Sequence, residues 1–113
     1  MNERRDLKRH KFAYYMRVLD DDTLKLIGHL SDISNKGFKI DSQNLIASGI
    51  NFRLRMDLTS EVSNKAYILF SATSRWCRVD PLDPLIQNVG FEISEISSED
   101  SAIYMRIVER YGS

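Results

Sequence analysis

At 113 residues the chain has room for one domain with its own core and none for a second of ordinary size. A hydrophobic content of 42% and a charged content of 28% are those of a soluble globular protein, and no run approaches the roughly eighteen apolar residues of a membrane span. The formal charge is zero but uneven: Arg4, Arg5, Lys8, Arg9, Lys11 and Arg17 face only Glu3 and Asp6 in the first seventeen residues. That local excess of +4 leaves the rest of the chain acidic and argues against a broad nucleic-acid-binding face.

The start, Met1-Asn2-Glu3-Arg4-Arg5, lacks the apolar stretch of a signal peptide, so the expected location is cytoplasmic. Cys77 is the single cysteine, which excludes an intramolecular disulfide, a thiolate zinc site and a CxxC redox pair; it reads as a plain strand cysteine. His10 and His29 have no second ligand at metal-binding spacing and read as non-catalytic.

In chain order, residues 1–11 form a basic arm, and Phe12 to Leu19 reads as a first strand that stops at Asp20-Asp21-Asp22. Three successive aspartates without the glycine and distal glutamate of a calcium loop predict a hairpin turn. Leu24 to Ile33 is a second strand. Asp32-Ile33-Ser34-Asn35-Lys36-Gly37 then carries the chain into Phe38-Lys39-Ile40, which places this polar motif on a strand end and its turn. A glycine at positive φ there would let several backbone amides face one anion.

Ile50 to Leu58 alternates apolar and polar at every step, the pattern of a strand with one wet face. Thr59 to Lys65 is a connection. Tyr67 to Val79 is a long strand with Ile68, Phe70, Ala72 and Trp76 on one side, which assigns Trp76 to the core in preference to a base-stacking role. Pro81 and Pro84 break it, and Gln87 to Ile93 is the last strand. Ser97 is the expected N-cap of a helix, with Asp100 completing a capping box. The stripe Ile103/Tyr104, Ile107, Val108 and Tyr111 faces the core, and Gly112 ends the helix. Short antiparallel strands followed by one amphipathic helix predict a mainly β protein, a small antiparallel barrel with the helix on its side or mouth.

Two polar motifs carry the functional signal. In Arg5-Asp6-Leu7-Lys8-Arg9 two arginines four apart offer planar donor forks that fit phosphate oxygens and the O6/N7 edge of guanine. In the second motif Asp32 offers acceptors for a guanine N1–H and amino group, and Ser34 adds a hydroxyl. Arg-x-x-x-Arg, followed some twenty residues later by Asp-x-Ser-x-x-Gly, resembles the signature of PilZ domains, the bacterial receptors for cyclic di-GMP. The resemblance continues through Gly37-Phe38-Lys39-Ile40, Ala72 to Trp76 and Gly90-Phe91-Glu92-Ile93, and departs at Lys36, where many members have a second glycine.

The resemblance implies a six-stranded, PilZ-like split barrel with a C-terminal helix: arm 1–11, barrel 12–96 and helix 97–112 of a single domain spanning 1–113. It implies binding of cyclic di-GMP by Arg4, Arg5, Arg9, Asp32, Ser34 and Gly37, with Arg4 associated with a stacked ligand pair. Ordering of the arm would then create a surface that signals to an unidentified downstream protein. No enzyme activity, metal, further cofactor or nucleic-acid partner is expected, because no nucleophile elbow, Walker loop or HExxH is present. The main alternative is a degenerate module of the same fold that docks to a partner without nucleotide. A small barrel binding single-stranded nucleic acid is disfavoured by the zero net charge.

Overall fold

The computed structural model describes residues 16–112, so the arm and its Arg4, Arg5 and Arg9 lie outside the described residues. Six strands, β1 (Arg17–Asp20), β2 (Leu26–Ile33), β3 (Gly37–Ser42), β4 (Asn51–Asp57), β5 (Tyr67–Val79) and β6 (Gln87–Ile96), precede one helix, α1 (Ser98–Tyr111). The strands are antiparallel and close into a barrel in the order β1-β2-β3-β6-β5-β4.

Alternation does most of the local work. In β4, Leu54 and Met56 are fully buried while Asn51 and Arg53 face water, as expected of a strand with one wet face. The Asp20 carboxylate accepts from the amides of Asp22 (2.8 Å) and Thr23 (3.1 Å), so the aspartate run makes the β1–β2 turn. Inside, Leu30, Ile33, Ile40, Leu54, Ile68, Phe70 and Val89 form the centre of the core, with Phe38 stacked on Phe91 at 5.2 Å and edge-on to Phe70 at 5.5 Å.

Bulges break the alternation where it matters. Leu30 pairs Ile40 but Asp32 pairs Lys39, so Ser31 is an extra residue in β2. Likewise Ser74 pairs Phe91 but Trp76 pairs Gly90, which makes Arg75 the extra residue of β5. Each insertion shifts the in-out phase by one, turning Asp32 outward on β2 and Trp76 outward on β5. Trp76 is therefore not on the side of Ile68, Phe70 and Ala72; it is partly exposed, and Cys77, paired with buried Val89, packs against the core in its place.

The helix closes the end of the barrel that holds the β2–β3 turn. Ser97 is its N-cap, accepting from Asp100 N at 3.1 Å. The other half of the expected capping box does not form. Asp100 instead accepts from Lys65 Nζ (2.7 Å) and the Leu69 amide (3.1 Å), because a buried carboxylate gains more from a cation and an edge amide than from its own cap. Ile103, Tyr104 and Ile107 bury the inner face of α1, and Gly112 N donates to Val108 O at 2.7 Å where the helix ends.

Candidate functional site

The register aligns four residues across the outer face of the barrel: Asp32 on β2, Lys39 on β3, Gly90 on β6 and Trp76 on β5 are successive cross-strand partners. Gly90 makes room for the indole, since a Cβ there would overlap Cε2 and Nε1 of Trp76. An open cleft of about 420 Å³ follows this row, lined also by Ser34, Gly37 and Arg75 and floored by Phe38 and Phe91.

Each part is held from behind. Asp32 is exposed, with Oδ1 accepting from the Ile33 amide at 2.9 Å, so the bulge both turns the carboxylate outward and fixes its rotamer. Ser34 closes the β2–β3 turn: its amide donates to Gly37 O at 2.8 Å and its hydroxyl lies 3.3 Å from the same oxygen. The Tyr104 hydroxyl of α1 lies 2.8 Å from both Ser34 O and Gly37 O, so the helix braces the turn that displays the second motif. Burial pushes the Tyr104 phenol well above the ordinary tyrosine range, which keeps it protonated and donating.

Gly37 is required for a different reason from the one expected. Its φ is not positive; among the described residues only Gly49 (81°) and Leu24 (62°) have positive φ. A Cβ at Gly37 would overlap the Phe91 carbonyl oxygen, so glycine is needed for the close approach of β3 to β6.

The charges of the cleft lining and of Glu92 balance. Arg75 pairs with Glu92 (Nε–Oε1 2.7 Å, Nη2–Oε1 2.6 Å) with both side chains about half exposed, and Lys39 faces Asp32 across the strands. The cleft lining has acceptors, a hydroxyl and an aromatic plane with its formal charges cancelled, while exposed Lys36 and Arg78 beside it add two positive charges. Arg78 lies 5.0 Å from the Trp76 ring and steadies it from the next outward position along β5.

The structure thus brings Asp32, Ser34 and Gly37 together. It adds Lys39, Arg75, Trp76 and Gly90, of which the sequence reading weighed only Trp76 and assigned it to the core. The signal for all four was the Ser31 and Arg75 bulges, which no local pattern announces. Lys36 is exposed in the turn, and its carbonyl accepts from the Ile93 amide at 2.9 Å.

A family model described as the PilZ domain matches residues 3–110. Among solved structures the chain is similar to the Bacillus subtilis Inhibitor of motility (MotI/DgrA), at 23% identity and a TM-score of 0.63, over 84% of this chain and 44% of that one. The likeness bears on the fold, and the chain spans less than half the length of that protein. No curated protein matches the chain.

Proposed function

We propose a function from one premise: this chain belongs to the PilZ domain family, a family of cyclic di-GMP receptors. Its role is to bind that dinucleotide at the outer-face cleft, with Arg5 and Arg9 gripping phosphate and guanine and Asp32, Ser34 and Gly37 lining the opposing rim. The observation that carries the reading is that Asp32, Ser34 and the Trp76 ring line one cleft, so that guanine-edge acceptors and a stacking plane share a single opening.

The charge balance of the cleft lining gives the arm its part. Within the cleft Lys39 and Arg75 are offset by Asp32 and Glu92, so a dianionic ligand draws its attraction from exposed Lys36 and Arg78 at the rim and from the arm, whose residues 1–11 carry a formal excess of +3. Arg4, next to the motif, is assigned to a second, stacked ligand. Binding draws residues 1–11 onto the barrel, and the surface so formed signals to another protein; the protein acts as a receptor and not as an enzyme.

The test is calorimetric titration with cyclic di-GMP beside GTP, followed in parallel by the fluorescence of the single tryptophan. Selective binding with quenching of Trp76 is expected. An Arg5→Ala/Arg9→Ala variant should weaken it at least roughly a hundredfold, since each charged hydrogen bond contributes about 1.5–3 kcal/mol. No heat and no quenching in the parent protein would favour the ligand-free docking module.

A further inference from the structure

The large apolar side chains that the fold leaves in water are not scattered. Among the described residues they are Leu24, Leu26, Leu45, Ile50, Val79, Leu82 and Leu85. All seven lie on or beside the β1–β2, β3–β4 and β5–β6 connections, which in an antiparallel barrel share one end. The other end, with the β2–β3 turn, the β4–β5 connection and α1, has none of them. Chance scatter would not respect that division, and burial of core residues does not require it.

Two of the connections hold their leucines out on constrained backbone. The β5–β6 loop repeats a tripeptide, Asp80-Pro81-Leu82 and Asp83-Pro84-Leu85. Asp80 Oδ2 accepts from the amides of Leu82 (2.9 Å) and Asp83 (3.0 Å), and Asp83 Oδ1 from that of Leu85 (3.0 Å). Prolines and side-chain turns thus fix the loop before anything binds, while Leu82 and Leu85 remain 58% and 80% exposed. On the β1–β2 turn Leu24 has φ 62°, a strained conformation for a leucine, and is 52% exposed.

The charge of this end selects its occupant. Residues 20–26, 43–50 and 80–86 contain Asp20, Asp21, Asp22, Asp80 and Asp83 against Lys25 and, from the adjoining β4, Arg55, which pairs with Asp21 at 3.1 Å, so the formal charge of this end is −3. That rim repels an anionic membrane surface and favours cationic protein. We propose that this end of the barrel is a docking surface for a basic amphipathic segment of a partner protein, its apolar face on the leucines and its cations against the aspartates. The surface is built without nucleotide, so the inference stands apart from the ligand reading.

The probe is a synthetic helical peptide with leucine on one face and lysine on the other, titrated into the isotope-labelled full chain while amide shifts are recorded. A leucine/glutamate peptide of the same pattern serves as control, and sedimentation gives the oligomeric state. Shifts confined to residues 20–26, 43–50 and 80–86 are expected, with binding weakened by salt and by at least about tenfold in Leu82→Ser/Leu85→Ser at unchanged Tm. Three results would overturn the proposal: shifts elsewhere or none; equal binding of the leucine/glutamate peptide; or a dimer of the parent chain that the serine variant dissociates, which would make the occupant a second copy. If deletion of residues 1–11 moved the same amides, the occupant would be the chain's own segment, and the proposal would fail as well.

Discussion

Two glycines at the cleft fail differently when substituted. At Gly37 the obstacle to a Cβ is the Phe91 carbonyl, which belongs to the β3–β6 ladder and cannot yield without breaking it. Gly37→Ala should therefore destabilise by about 1–3 kcal/mol, read as a fall in Tm. At Gly90 the obstacle is the Trp76 ring, a side chain that can swing aside. Gly90→Ala should cost less stability but change the tryptophan emission and weaken cyclic di-GMP binding; equal losses of Tm in both variants would refute the distinction. Tyr104→Phe removes the hydroxyl shared by Ser34 O and Gly37 O; Gly37 O keeps the Ser34 amide, so the cost, about 1–3 kcal/mol, falls on the part-buried Ser34 carbonyl. If the brace matters to the motif, this variant loses ligand affinity as well as Tm, whereas a purely packing role would move Tm alone.

At the scale of elements, α1 is joined to the barrel by charge as well as by packing. Burial pushes the Asp100 carboxyl up, but hydrogen bonds from Lys65 and the Leu69 amide, with the Lys65 and Arg53 charges, hold it below its ordinary value. A carboxylate depressed in the folded state contributes stability at pH above the unfolded value, near 3.8, and that stability disappears as pH falls through the lower folded value. Tm should thus decline on acidification below about pH 5, and Asp100→Asn should be less stable at neutral pH with a shallower acid limb. Equal acid limbs in both proteins would remove Asp100 from the account. The unbroken period of β4, the Ser97 cap and the apolar face of α1 were legible, because each depends on neighbours within a turn or two of chain. The capping box was not: Ser97-x-x-Asp100 satisfies the local pattern, yet the competing partners Lys65 and Leu69 lie more than thirty residues away.

For the whole molecule, the two ends of the barrel present different surfaces. One end holds the helix-braced turn, with the cleft beside it on the outer wall, and the other presents leucines within an acidic rim. The described residues themselves form a core of Met16, Val18, Leu30, Ile33, Ile40, Leu54, Met56, Phe70 and Ile107. Deleting residues 1–11 should therefore leave the cooperative melt within a few degrees of the parent while abolishing cyclic di-GMP binding. Collapse of the melt in that variant would make the arm part of the fold instead of part of the site.

The sequence by itself determined what acts over short range: the turn at Asp20, the alternation of β4, the N-cap at Ser97, and two motifs whose residue types suit a guanine and a phosphate. Only the tertiary structure decided which residues meet. One extra residue at Ser31 and another at Arg75 turn Asp32 and Trp76 to the same outer face and set Lys39 and Gly90 between them. A bulge is settled by the fit of a strand to its partners, in energies summed across four strands, and nothing within a window of neighbouring residues encodes that sum.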